Sequence, residues 1–199
     1  MHARSSRRSQ EIDRSSRTHW WGLMRGRGAA VSRVLVVFDT KFGATRDIAE
    51  EIGRSLRGVG LPADVEAVAA APDLSKYSAV VLGAPVFGGK LEPPLCDWVH
   101  EHLATLENMP TAVFVVGASV RDDTPEAREA LDRVMDSALC GSEHLGAGLP
   151  RGRFAGRIDA DKLPAPMRFM LHMAKLPAGD WVDLDEVHAW AIGIASRLT

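Results

Sequence analysis

The chain has 199 residues, of which 46% are hydrophobic and 25% are charged, and its formal net charge is −2. This composition suits one globular domain with a sizeable core, and no apolar run approaches the roughly 20 residues of a membrane-spanning helix. The two cysteines, Cys96 and Cys140, are far apart and show no C-x-x-C spacing. We therefore expect a cytoplasmic protein in which both are small, buried, apolar residues, rather than a disulfide-stapled or zinc-binding one.

Residues 1–30 differ from the rest of the chain in charge. They carry seven arginines and two acidic residues, a net charge of +5, whereas the remainder has 17 basic and 24 acidic residues, a net charge of −7. Because this segment is rich in Arg, Ser and Gly and has no hydrophobic periodicity, we predict that it is disordered. It is either a functional arm, for nucleic acid or for targeting, or an extension upstream of a true start at Met24 or near Val31. The globular domain is predicted to span residues 31–199.

The first predicted elements are a buried strand over residues 34–38 and a helix over residues 46–56, joined by a loop rich in hydroxyl groups and glycine. A helix that follows a strand so closely directs its free N–H groups and the positive end of its dipole at one point, which suits a phosphate. Thr40 and Thr45 add hydroxyl donors, and Gly43 allows close approach of the backbone. An ordinary strand-to-helix turn is the alternative.

Further strands are predicted over residues 62–68, 78–83, 111–117 and 153–158, and helices over residues 93–106 and 125–139, the last capped by Thr124. Strands that alternate with helices predict an α/β fold with a parallel sheet covered on both faces. Ligands of such sheets bind beyond the carboxyl ends of the strands. The candidate site therefore comprises three loops, at residues 39–45, 84–92 and 118–123.

The order of residues in the first loop, a hydroxyl, two residues, Gly, one residue and Thr, resembles the flavodoxin signature, whose loop holds the phosphate of FMN. The resemblance implies a flavodoxin-like three-layer sandwich with a five-stranded parallel sheet, and an isoalloxazine ring between the second and third loops. The implied cofactor-binding residues are Thr40, Lys41, Phe42, Gly43, Ala44, Thr45, Pro85, Val86, Phe87, Gly88, Gly89, Ala118 and Ser119.

Within the second loop, Phe87 is predicted to stack on the flavin ring, with packing against a neighbouring helix as the alternative. Gly88 and Gly89 allow a peptide to reorient beside the ring. The third loop has no aromatic residue, although electron-carrier flavodoxins usually place the ring between two. One face of the flavin is therefore expected to be open to an organic substrate or a quinone.

The C-terminal third carries a more specific resemblance. A Met-rich basic segment at residues 167–176, a Pro-Ala-Gly-Asp-Trp sequence at residues 177–181 and the Gly-Ala-Pro-Val-Phe-Gly-Gly-Lys stretch at residues 83–90 together look like the menaquinone-dependent protoporphyrinogen IX dehydrogenase family. Members of that family bind FMN, lie on the inner face of the cell membrane and pass electrons from protoporphyrinogen to a quinone in haem biosynthesis. The family's long basic insertion after the fourth strand is shortened here to residues 117–124.

In such an enzyme a helix over residues 167–176 would place Met167, Met170 and Met173 on one face, which suits a large apolar substrate. Arg168 and Lys175 would meet carboxylates or anionic lipid. Arg168, Met170 and Lys175 are therefore the predicted substrate-binding residues, with a plain helix core as the alternative. We predict no metal site, because the five histidines from residue 100 onward lack metal-ligand spacing, and no nucleic-acid partner.

Two other functions remain open. The acidic domain also suits a flavodoxin-type electron carrier that docks on basic protein partners. A flavin-free binding module of the same fold is the third possibility, since the carboxylate of Asp39 would repel a phosphate if it pointed inward, unless Lys41 offset its charge. The sequence gives no indication of the oligomeric state.

Overall fold

The computed structural model describes residues 33–70, 72–121, 124–139, 145, 148–173 and 177–199. The predicted N-terminal extension, Cys140 and Lys175 lie outside these residues, and so do the side chains of Ser119 and Met170. The predictions made for them stay predictions.

The strands and helices alternate along the chain as predicted. The strands are β1 (Val34–Phe38), β2 (Ala63–Ala67), β3 (Ala79–Phe87), β4 (Lys90–Leu91), β5 (Thr111–Gly117), β6 (Arg151–Ala155), β7 (Arg157–Ile158) and β8 (Gly179–Asp180). The helices are α1 (Ala44–Gly58), α2 (Pro93–Leu106), α3 (Pro125–Ala138), α4 (Ala165–Met173) and α5 (Leu184–Ile194). Two short 3₁₀ turns, Val68–Ala70 and Leu74–Lys76, connect β2 to β3.

Five parallel strands form the sheet in the order β2-β1-β3-β5-β6, and β4 pairs antiparallel with the end of β3. All five residues of β1 are buried, as expected for a central strand that is covered on both faces. Helices α1 and α5 supply Ile48, Ile52 and Val187 to one core. Helices α2 and α3 supply Leu95 and Met135 to the core on the other face. This confirms the predicted flavodoxin-like three-layer fold.

The second loop is shorter than predicted, because β3 does not end at Gly83 but continues to Phe87. Gly83 has a packing role: a Cβ there would lie 2.1 Å from the ring of Phe114 on the neighbouring strand. Pro85 still pairs in register with Val116 of β5. Pro85, Val86 and Phe87 are therefore strand residues, and the chain turns back at Gly88-Gly89 as a hairpin.

The last strand also differs from the prediction. Strand β6 covers residues 151–155, and the chain then leaves the sheet at Gly156, so that β7 pairs antiparallel with β8 instead. We call β7, β8 and Trp181 the C-terminal ribbon. The backbone N–H of Trp181 donates to the carbonyl of Gly156 (3.3 Å). The ribbon is thus joined to the carboxyl end of β6.

Helix boundaries lie close to those predicted. Thr124 caps α3 as expected, since its hydroxyl accepts the N–H of Ala127 at 3.1 Å. Helix α4 covers residues 165–173, so its first turn begins before the predicted residue 167. Cys96 on α2 is half-exposed, which corrects the expectation that it is buried.

Candidate functional site at the carboxyl edge of the sheet

The amino end of α1 presents backbone donors beyond the end of β1. Gly43 is the N-cap residue, with a left-handed φ of 95°, and no side chain caps the helix. The first intrahelical bond runs from the N–H of Asp47 to the carbonyl of Gly43 (3.2 Å). By helix geometry, the N–H groups of residues 44–46 therefore point out of the helix end. Thr45, only 2% exposed, lies in this first turn.

The donors at this helix end suit a phosphate in number and charge. Several backbone N–H groups converge there at the positive end of the helix dipole. The side chain of Thr40 shapes the loop, since its Oγ1 accepts the N–H of Gly43 at 3.1 Å. A Cβ at Gly43 would meet no atom within 4 Å, so the space above the loop is open. The residues present thus fit the phosphate of a flavin mononucleotide.

The first loop and the β3–β4 hairpin contact each other through charged and aromatic side chains. The Nζ of Lys41 lies 2.9 Å from Oε1 of Glu92 and 5.4 Å from the centroid of the Phe87 ring. The rings of Phe42 and Phe87 meet edge to face, with centroids 5.5 Å apart. Phe87 therefore packs against Phe42 and Lys41 of the first loop, and the two loops share an aromatic contact.

Asp39 immediately precedes this loop, and its charge is only partly offset. Its backbone N–H donates to the carbonyl of Gly83 (2.9 Å). Burial raises the pKa of Asp39 above its ordinary value, the backbone hydrogen bond from Thr40 lowers it, and Glu92 raises it further. Lys41 lowers the pKa of Asp39 by the smallest of these four contributions. The carboxylate thus has a reduced tendency to carry a charge beside the phosphate loop.

The third loop is a 3₁₀ turn, Ala118–Arg121, that follows β5. Ala118 and Ser119 lie in it as predicted, next to the carboxyl end of the strand. Arg121 ends the turn, and its guanidinium carbon lies 4.2 Å from the centroid of the Trp181 ring. The third loop has no aromatic residue of its own, but the fold brings one to it from the C-terminal ribbon.

The ribbon is also fastened to the phosphate end of the site. Arg157 on β7 donates from Nη1 to Oδ2 of Asp47 in the first turn of α1 (3.1 Å) and from Nε to Oδ2 of Asp180 on β8 (2.6 Å). The hydrogen bond to Asp180 raises the pKa of Arg157. Sequence reasoning missed Arg121, Arg157 and Trp181. The Pro-Ala-Gly-Asp-Trp sequence at residues 177–181 marked this segment for its family resemblance, but not as part of the site.

The predicted substrate-binding residues lie on α4, whose described side chains are exposed. Phe169 and Met173, four residues apart, are 66% and 67% exposed, and Arg168 and His172 beside them are exposed as well. This rules out a simple helix core for these four side chains.

A concavity of about 490 Å³ lies along the edge strand β6, and Val120, Leu131 and Trp190 contribute to its lining. Two of its arginines pair with carboxylates of α3: Arg151 with Asp136 (2.5 Å), and Arg153 with Asp132. These two charges are offset and do not by themselves indicate an anion site.

The described residues form neither a metal cluster nor a membrane-spanning helix. In the described ranges no three His, Cys, Asp or Glu side chains come together as metal ligands would. No helix among those residues has both the length and the apolar character needed to cross a bilayer.

Comparison with known proteins agrees with the fold. The sequence profile of the family described as "Flavodoxin domain" matches residues 35–184, and the chain therefore belongs to this family. Membership indicates a flavin-dependent protein of oxidoreductase and electron-transfer type.

Sequence comparison also identifies an enzyme from Escherichia coli as a relative of this chain. The chain is 33% identical over 98 residues to the protoporphyrinogen IX dehydrogenase [quinone] of Escherichia coli strain K12, and equally so to that of strain O157:H7. The match covers 48% of this chain and 53% of the relative. The chain thus spans about half the length of the curated relatives that it matches.

Solved flavodoxins share the fold at low sequence identity. Oxidised flavodoxin 1 from Bacillus cereus is 16% identical, with a TM-score of 0.53 over 84% of this chain and 100% of its own. A flavodoxin from the domain Archaea is 18% identical, with a TM-score of 0.52 over 83% of this chain and 98% of its own. At such identities these structures support the fold alone.

Proposed function

We propose that the protein is an FMN-dependent oxidoreductase that takes electrons from a reduced porphyrin and passes them to a quinone. The assignment of FMN as the cofactor is supported mainly by the uncapped amino end of α1, where the N–H groups of residues 44–46 point out of the helix. The proposal of a porphyrin and a quinone as substrates is supported by the 33% identity to the E. coli enzyme.

The proposed cofactor contacts divide among the three loops. The first loop would hold the phosphate, the hairpin and the third loop would border the ring, and Phe87 would lie at the junction of the first two. The residues assigned to this task are Thr40, Lys41, Phe42, Gly43, Ala44, Thr45, Pro85, Val86, Phe87, Gly88, Gly89, Ala118 and Ser119.

When bound, FMN supplies two-electron chemistry that no side chain can provide. Converting a hexahydro-porphyrin into a porphyrin removes six electrons, so three rounds of transfer to quinone are needed. The chain's own residues would orient the ring, border its open face and bind the substrate. Arg168, Met170 and Lys175 are proposed to contact the macrocycle and its carboxylates.

Exposed residues on α4 also support a proposed position at the inner face of the cell membrane. Phe169 and Met173 are apolar and exposed on a helix that carries Arg168, and such a helix binds an anionic lipid surface. Co-sedimentation with anionic vesicles tests this. A double variant, Phe169→Ser with Met173→Ser, should bind less than the wild type.

An anaerobic assay with purified protein, protoporphyrinogen IX and menaquinone tests the reaction. We expect turnover without NADPH, since the chain shows no second nucleotide motif. Arg168→Ala should raise KM more than it lowers kcat, as expected for a residue that binds ground and transition states alike.

The electron-carrier function is the second candidate, favoured by the net charge of −7 outside residues 1–30. The electron-carrier function would be supported if protoporphyrinogen failed to reduce the bound flavin and a ferredoxin-type protein exchanged single electrons with the flavin. A colourless protein that gains no visible absorbance with FMN would instead indicate the flavin-free binding module.

A further inference from the structure

Among the described cations at the carboxyl edge of the sheet, Lys41, Arg157 and Arg121 differ in the groups that contact them. Lys41 pairs with Glu92, and Arg157 is shared between Asp47 and Asp180. Carboxylates thus offset both of these charges. The contact described for Arg121 is of another kind, with the face of Trp181.

An aromatic face positions a guanidinium without cancelling its charge. The ring quadrupole attracts the cation and restricts its rotation, but it contributes no net negative charge, unlike Glu92 or Asp180. The platform itself is fixed from two sides. The backbone N–H of Trp181 donates to Gly156 (3.3 Å), and its ring lies so close to Gly179 that a Cβ there would meet it at 2.6 Å.

Arg121 ends the turn that follows β5, where the third loop is expected to border the flavin ring. When the flavin takes up two electrons and one proton, the reduced ring carries one negative charge that the oxidised ring does not. A fixed cation nearby stabilises the reduced form more than the oxidised form and raises the reduction potential. We propose that Arg121, held on Trp181, raises the two-electron reduction potential of the bound flavin. This role rests on the proposed function, because it requires FMN in the site.

The charge of Arg121 also bears on whether the protein acts as an enzyme or as an electron carrier. A higher two-electron potential makes the flavin a better electron acceptor from an organic substrate. An electron carrier that works at low potential instead needs negative charge near the flavin, because this charge lowers the reduction potential. Within the described residues, the fold places a cation without a described carboxylate partner beside the third loop, although the domain as a whole is acidic.

The test is a spectroscopic redox titration of FMN-loaded full-length protein, with dithionite as reductant and a reference dye. Arg121→Gln should bind reduced FMN about tenfold more weakly relative to oxidised FMN, which lowers the two-electron potential by about 30 mV. Trp181→Leu should lower it by a smaller amount, since it removes the platform and keeps the charge. Arg133→Gln is the matched control: it removes one exposed arginine on α3 and should leave the potential unchanged.

Equal potentials for wild type and Arg121→Gln would overturn the proposal while leaving the flavin site intact. Equal decreases for Arg121→Gln and Arg133→Gln would overturn it too, because net charge alone would then explain the effect. A folded Arg121→Gln that no longer binds oxidised FMN would assign Arg121 to holding the cofactor, contrary to the proposal. A wild-type protein that binds no FMN would overturn this inference and the proposed function together.

Discussion

The two ends of the candidate site differ in how far apart in sequence their residues lie. At the phosphate end, residues 40–45 are consecutive, and a strand, a turn and a helix place their backbone, with further contacts from Phe87 and Glu92. At the ribbon end, Arg121 meets Trp181, and Arg157 reaches Asp47 across 110 residues of sequence. Local sequence therefore determines the first region, and tertiary packing determines the second. Substitutions in the first should affect FMN affinity. Substitutions in the second should affect mainly stability, except at the Arg121–Trp181 pair, where we expect a change in reduction potential.

The largest effect is expected at the phosphate end. Thr45→Val should weaken FMN binding by roughly 1–3 kcal/mol, because it removes one hydroxyl hydrogen bond to a charged group. Titration of FMN fluorescence measures the change, and Thr45→Ser, which keeps the hydroxyl, is the control. Equal losses in the two variants would attribute the effect to packing of this buried residue instead.

At the ribbon end, Arg157→Met should lower the free energy of unfolding by about 1 kcal/mol, as it breaks two partly exposed ion pairs. Denaturant unfolding measures this value. FMN affinity should change less than in Thr45→Val. If affinity fell more than stability, Arg157 would belong to the phosphate site, and the distinction between the two regions would fail.

Much of the phosphate end could be predicted from the sequence, because hydrophobic periodicity locates β1 and α1 and the spacing of Thr40, Gly43 and Thr45 fixes the turn between them. The parallel sheet followed from the alternation of strands with helices. The end of β3 was misplaced because Gly83 resembles a strand terminator, whereas its role is to make room for the ring of Phe114.

The ribbon end could not be predicted in the same way. A two-residue strand such as β7 has no periodicity to detect, and its partner β8 lies about 20 residues further along the chain. The contact of Arg121 with Trp181 depends on where the ribbon crosses the edge of the sheet, which is a property of the whole fold. The absence of an aromatic residue from the third loop predicted an open flavin face and gave no indication that Trp181 lies beside this loop.

A smaller effect is expected for Asp39→Asn at the boundary of the phosphate loop. Burial raises the pKa of Asp39 in the folded protein, so ionisation of this carboxyl group lowers the free energy of unfolding. The loss increases as the pH rises above the pKa of Asp in the unfolded chain, which is roughly 3.9. The variant should therefore be more stable at pH 7, by less than about 1 kcal/mol after solvent screening. The gain should vanish below that pH, where Asp39 is protonated in both states. Thermal unfolding at both pH values measures it, and a less stable variant at pH 7 would contradict this account.

The smallest effect is expected outside both regions. Removal of residues 1–30 should leave FMN affinity and melting temperature unchanged, since the segment lacks the apolar periodicity needed to pack on the core. Differential scanning calorimetry of the full-length and shortened proteins compares them. A decrease of more than a few degrees would show that the segment contributes to the domain.

The central claim is that the amino end of α1 binds the phosphate of a flavin, and a parallel titration with FMN and riboflavin tests it most directly. The two ligands share the ring system and differ by the phosphate, so their difference in affinity reports the proposed phosphate site, which comprises the helix end and the first loop. We predict tight binding of one FMN per chain and much weaker binding of riboflavin, because riboflavin offers no anion to the N–H groups and the dipole of α1. Equal affinities for the two ligands would contradict the assignment.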